Sequence, residues 1–130
     1  MIYLDSCAVI KLIKPEVESE ALVAWLNRHA STPRVSSTLL DVEMGRALRR
    51  DAPELLDRLP GVLARIHRFD MTEAVRSQAA SFSHPHLHTL DAIHLATAYP
   101  LRSQLTAFVT YDKRFETYAA ETGLTIESPS

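Results

Sequence analysis

The sequence predicts an α/β fold, a short and mainly parallel sheet with helices on both faces, and three observations carry that prediction. Short apolar runs suited to buried strands alternate along the chain with segments of helical spacing, the order of a parallel sheet joined by helical crossovers. The first run, Ile2–Leu4, ends in a carboxylate, Asp5, and feeds directly into a helical segment, which is how an α/β unit opens. No repeat, low-complexity tract or long linker interrupts the 130 residues, so residues 1–130 are expected to form a single domain.

In chain order, residues 8–13 form a short helix stopped by Lys14-Pro15. Residues 18–28 place Ala21, Leu22, Trp25 and Leu26 at helical spacing. A break at residues 31–33 precedes a second short strand at 34–36. Thr38 and Asp41 match a capping box, and Leu40, Met44, Ala47 and Leu48 make one apolar helix face. Pro53 and Pro60-Gly61 delimit one or two short helices, 66–69 is a strand candidate, and Thr72 caps a helix to about Phe82. A histidine-bearing loop at 84–88 leads into a helix at 89–98, which Pro100 ends. Residues 106–110 are the clearest buried strand, followed by a helix to Glu121, a cap at Gly123 and a last strand at 124–126.

Composition excludes several classes. Hydrophobic residues make up 46% of the chain, which argues for a folded domain with a real core. Fourteen basic against 16 acidic residues leave a net charge of -2, so any surface for nucleic acid has to be local. The only cysteine, Cys7, has no internal disulfide partner and reads as a small core residue. No apolar stretch reaches membrane-spanning length, and Asp5 interrupts the first run too early for a signal peptide; a cytoplasmic protein without a membrane partner is expected.

Residues 89–98 pose the chemical question. This helix is apolar on nearly every side, yet it carries Asp91 in its first turn and His94 one turn on. A carboxylate in a dry core is costly unless something positive meets it. Asp91 alone reads as a helix-terminus charge with Thr89 as cap, Glu43 alone as a partner for Arg46, and Asp112 alone as a turn residue. Asp5 is harder to dismiss, because it ends a buried strand. In open α/β sheets ligands bind beyond the carboxyl ends of the strands. Asp5, Glu43, Asp91 and Asp112 all fall where they can gather at that edge. Such carboxylates repel and hold raised pKa values unless cations fill the gap. Hard oxygen donors with room for water favour Mg²⁺ or Mn²⁺, a device suited to phosphodiester hydrolysis.

Asp5-Ser6 after an N-terminal strand, Glu43 in the second unit, Leu90-Asp91-Ala-Ile-His-Leu-Ala-Thr-Ala98 and Thr110-Tyr-Asp112-Lys-Arg-Phe115 closely resemble the PIN-domain ribonucleases, above all the VapC toxins of bacterial toxin–antitoxin pairs. The resemblance runs in order from Ile2 to about Ile126. It implies a three-layer α/β/α sandwich, Mg²⁺- or Mn²⁺-dependent endoribonuclease activity on RNA, homodimerisation, and inhibition by a VapB antitoxin. Asp5, Glu43, Asp91 and Asp112 then resemble the acidic quartet. Asp5, Asp91 and Asp112 are expected to hold the principal metal, and Glu43 to position the attacking water or a second ion. Ser6 and Thr110 resemble supporting hydroxyl residues. Where some members carry a further acid two residues after the last, this chain has Arg114, with Glu116 a helical turn beyond Asp112.

His94 reads as a hydrogen-bonded core histidine rather than a proton carrier. His84, His86 and His88 read as a polar loop rather than a zinc site, given Pro85 and no nearby cysteine. Arg46, Arg49 and Arg50, with Lys113 and Arg114, are candidates for a basic rim that holds RNA. Other functions compatible with the residues are a non-catalytic PIN-like module that binds a basic peptide, a housekeeping RNA-processing nuclease, and a phosphatase. The Asp-x-Asp of one phosphatase type is absent, because Ser6-Cys7 follow Asp5.

Overall fold

A computed structural model describes all residues, Met1–Ser130. The strands are β1 (Ile2–Leu4), β2 (Arg34–Ser37), β3 (His67–Phe69), β4 (Ala107–Val109) and β5 (Ile126–Glu127). The helices are α1 (Ser6–Ile13), α2 (Ser19–Arg28), α3 (Leu39–Asp51), α4 (Leu59–Leu63), α5 (Glu73–Ser81), α6 (Thr89–Ala98) and α7 (Lys113–Glu121), with 3-10 segments at Pro53–Arg58 and Tyr99–Gln104. The five strands lie in the order β3-β2-β1-β4-β5, and every pair is parallel.

Strand β1 is the axis of the molecule. Its three residues are fully buried, and Tyr3 stands in register with Val35 of β2 and Phe108 of β4. Successive side chains of a strand point to opposite faces, and this alternation builds two cores. Ile2 and Leu4, with Ala107 and Val109, pack among Ala8, Leu22, Leu40 and Leu48 of α1–α3. Tyr3 and Phe108 point the other way, to Leu95 and Ala98 of α6 and Phe115 and Ala119 of α7. The three-layer sandwich is therefore present, with its sheet wholly parallel. Tyr3, Phe108 and Phe115 form one aromatic stack, with ring centroids 4.9 and 5.1 Å apart. The chain leaves β1 toward β2 and later returns to pair β4 on its other side, so the order reverses at β1/β4, where α/β sheets open a crevice.

Most of the expected elements are found with ends shifted by a residue or two. The capping box is not. Thr38 has helical backbone angles and makes no cap bond. The Ser37 hydroxyl instead accepts from the Leu39 amide at 3.1 Å. Asp41 turns outward to the Arg68 guanidinium, at 2.7 and 2.8 Å, because β3 brings that cation beside the helix. Thr72 does cap α5, accepting from the Val75 amide. Thr89 begins α6 as a helical residue, and the cap position belongs to His88, which makes no side-chain cap bond. Gly123 takes a φ of 82°, the left-handed turn that glycine tolerates, just after α7. No helix is long and apolar enough to cross a membrane.

Candidate functional site

The carboxyl ends of β1 and β4 meet at Asp5. This side chain is 2% exposed and almost completely satisfied by the first turn of α1 and by β4. One oxygen accepts from the Ser6 amide at 2.7 Å. The other accepts from the Thr110 hydroxyl at 2.9 Å and from the Cys7 thiol at 3.3 Å. Ser6 thus contributes its backbone N–H, whereas Thr110 contributes the hydroxyl itself. Thr110 also accepts from the Asp112 amide at 3.2 Å, so one buried hydroxyl ties the first acid to the loop that carries the last.

Glu43 reaches the same place from α3. Its carboxylate meets His94 Nε2 at 2.6 Å, and the same nitrogen stands 3.9 Å from Asp5. On the far side of the ring, His94 Nδ1 pairs with the Tyr3 hydroxyl at 2.8 Å. His94 and Tyr3 are fully buried. Burial pushes the His94 pKa down, but the hydrogen bond to Glu43 and the charges of Asp5, Glu43 and Asp91 outweigh it and leave the value raised. His94 is the hydrogen-bonded core histidine expected, and it also orients one of the four acids.

Asp91, half-buried in the first turn of α6, has its pKa raised by burial and by the negative charges of Asp5 and Asp112. Asp112 caps α7, accepting from the Arg114 amide at 3.0 Å. The Arg114 side chain returns to the same carboxylate at 3.2 and 3.3 Å and holds its pKa below the usual carboxylate range. Glu116 faces elsewhere and accepts from Ser128. The fold therefore brings Asp5, Glu43, Asp91 and Asp112 into one electrostatic neighbourhood. As placed, no three acidic, histidine or cysteine side chains stand together closely enough to hold a metal ion. Glu43 is turned to His94 and Asp112 to Arg114. The donors fit a hard divalent cation by their chemistry, and burial, followed by the charges of Asp5 and Asp112, keeps the Asp91 pKa raised.

The basic candidates divide. Arg46 and Arg50 line an open groove of about 590 Å³ beside Glu43, together with Lys14, and the exposed Val42 and Leu90 form part of its wall. Arg50 is paired with Asp51, and Arg49 folds back onto the Gly45 carbonyl. Lys113 is exposed, and Arg114 is engaged by Asp112.

Two participants escaped the sequence reading. Cys7 is not simply core: it donates to Asp5 and accepts from the Tyr111 amide at 3.1 Å, while burial and Asp5 push its pKa up to about 12. Its place two residues after Asp5 was the available signal. Tyr3 looked like an ordinary strand residue, and nothing local in the sequence marks its bond to His94.

A family model for the PIN domain matches residues 2–121. The chain belongs to the PIN-domain family. Among similar proteins, Ribonuclease VapC35 of Mycobacterium tuberculosis is 46% identical, over 99% of this chain and 97% of that protein. Ribonuclease VapC46 of the same species is 39% identical, over 99% of this chain and 98% of that protein. The structure of VapBC2 from Rickettsia felis, bound to a DNA fragment from its promoter, superposes with a TM-score of 0.74 at 14% identity, covering all of both chains. That of M. tuberculosis VapC20 does so with a TM-score of 0.73 at 16% identity, covering 99% of this chain and 100% of the other. These two agreements concern the fold. In this PIN domain Asp5 stands where β1 and β4 end, and Glu43 reaches toward it through His94.

Proposed function

We propose that this PIN domain is the endoribonuclease toxin of a VapBC-type toxin–antitoxin pair, hydrolysing RNA phosphodiester bonds at an acidic, divalent-metal site. The observation that supports the reading is buried Asp5 at the end of β1, 3.9 Å from His94 Nε2, which in turn holds Glu43 at 2.6 Å; burial, then the charges of Asp5 and Asp112, raise the Asp91 pKa beside them. The ribonuclease relatives support it. Asp5, Asp91 and Asp112 would hold Mg²⁺ or Mn²⁺, and Glu43 would orient the attacking water. When bound, such an ion supplies positive charge for the phosphate and lowers the pKa of water. The chain does the positioning. Ser6 and Thr110 fix both oxygens of Asp5, and His94, braced by Tyr3, fixes Glu43. Arg46 and Arg50, with Lys113 and Arg114, would bind RNA phosphates around the site.

A VapB-type antitoxin, homodimerisation and a cytoplasmic location belong to the same proposal. The groove beside Glu43, with Val42 and Leu90 exposed on its wall, offers the antitoxin both apolar and charged contacts. An antitoxin arginine placed among the carboxylates would inhibit by substituting guanidinium charge for metal charge. Arg114 on Asp112 is an internal instance of that pairing.

Purified protein with Mg²⁺ or Mn²⁺ should cleave mixed single-stranded RNA. Asp5→Asn and Asp91→Asn should each lower the rate by at least about 100-fold, the scale of losing a principal electrostatic group. Equal activity in wild type and both variants would refute the nuclease reading. Binding of a basic peptide without cleavage by any form would favour a non-catalytic module.

A further inference from the structure

The three loop histidines have no part in the acidic site, yet the fold gives them a common position. His84, His86 and His88 line one side of a hollow of about 370 Å³, and Arg114, Thr117 and Tyr118 of α7 line the other. Ligand sites of small molecules run from ~300 to 1,000 Å³, so the hollow suits a small flat group. The loop is the polar loop expected. It turns at Pro85-His86, closed by the Leu87 amide donating to the His84 carbonyl at 3.2 Å. Leu87 anchors the turn by packing against the α6/α7 core. His84 lies on the Tyr118 ring with centroids 4.0 Å apart, and His86 is 6.2 Å from His84.

Three imidazoles invite a metal, but these do not gather around a point that could hold one. What the wall offers is the exposed imidazoles of His84, His86 and His88, the Arg114 guanidinium and the Thr117 hydroxyl, with the Tyr118 ring buried beneath His84. Those are the groups on which unpaired bases of single-stranded RNA stack and to which their edges hydrogen-bond. The location is equally specific. Arg114 joins the hollow to Asp112 at 3.2 Å. His88 immediately precedes α6, three residues before Asp91 in the first turn of that helix. The groove carrying Arg46 and Arg50 is lined by Glu43 and shares no residue with the histidine-lined hollow, so the two are separate.

We propose that the histidine-lined hollow receives one nucleobase of single-stranded RNA, next to the phosphodiester held at the acids, and thereby helps select the sequence that is cut. This deepens the nuclease reading and rests on it. Binding is measured by fluorescence anisotropy with an end-labelled single-stranded RNA in EDTA, so that no cleavage intervenes. The proteins are wild type, His86→Ala and His88→Ala, with circular dichroism checking that each is folded. An abasic oligonucleotide of equal length forms the second arm. Each histidine variant should weaken binding of the base-bearing RNA by about fivefold or more, the scale of one lost stacking contact. Affinity for the abasic strand should stay unchanged, and with Mg²⁺ the cleavage pattern on mixed RNA should broaden.

Unchanged affinity and an unchanged pattern would overturn the proposal. So would an equal loss on the abasic strand, which would mean that the histidines read phosphate. Loss of binding to a VapB-type antitoxin with RNA affinity intact would assign the hollow to a protein partner and overturn it as well. Asp5→Asn separates the two readings. If that variant still cleaves like wild type, the nuclease reading fails, while the anisotropy comparison continues to report on the base pocket.

Discussion

Arg114 is the residue at which this chain departs from the acid that some family members carry, and its chemistry is opposite to that of the residue it replaces. It lies 3.2 Å from Asp112 and competes for the carboxylate that the metal proposal needs. The pair is exposed, so its competition is modest and screened by salt. Arg114→Ala should tighten Mn²⁺ binding, measured by calorimetry without RNA, by about two- to fivefold. Unchanged or weaker Mn²⁺ binding would show that Arg114 does not compete. At the opposite side of the site, His94 is fixed from both nitrogens, by Tyr3 and Glu43. The sequence could place His94 on an apolar helix and so in the core. It could not show that the ring spans from the central strand to the α3 acid, because that bridge joins residues 91 and 51 positions apart.

Helix α6 shows what an element contributes. Ala92, Leu95, Ala96 and Ala98 are buried, and this packing sets where Asp91 and His94 point. Leu95→Ala should destabilise the protein by about 2–5 kcal/mol through lost burial and a residual cavity, read as a lower urea midpoint at unchanged slope. A loss under 0.5 kcal/mol would mean that α6 is not packed as described. The alternation of apolar runs and helical segments made nearly all of the elements legible, because burial of strands and amphipathicity of helices are local patterns. Caps were less legible. The Thr38/Asp41 pattern fits a capping box, but a cross-element partner, Arg68, takes the acid away. The loop at 84–88 was legible from Pro85, but its turn at Pro85-His86 and the anchoring of Leu87 were not.

For the molecule as a whole, the gathering of acids sets a cost that depends on pH. Asp91 has a raised pKa in the fold, so the folded protein binds that proton more tightly than the unfolded chain does. The contribution to stability is therefore favourable at low pH and falls as pH rises from the ordinary carboxylate range, about 4, through the raised folded value. Asp112 acts oppositely: its stabilisation is present above the ordinary range and is lost as pH falls through its lowered folded value. Metal-free Asp91→Asn should accordingly melt about 1–3 °C above wild type at pH 7, and the difference should shrink toward pH 3. Mg²⁺ should narrow the gap by stabilising wild type alone. A variant that melts lower than wild type at pH 7 would show that burial and the neighbouring acids do not disfavour the Asp91 charge. Asp5, Asp91 and Asp112 could be nominated from sequence because each falls at a strand end or helix start, whereas Glu43 lies a turn into α3 and is nominated by its place in the resemblance. Their nearness to one another depends on the sheet order, which no local pattern encodes. That order has a consequence in time. Strand β1 is flanked by β2 and by β4, and Asp5 is tied to Thr110, 105 residues later. The first acid acquires its last partner only when β4 and Thr110 have joined the sheet beside β1, so completing the site waits on a contact between distant parts of the chain rather than on any local element.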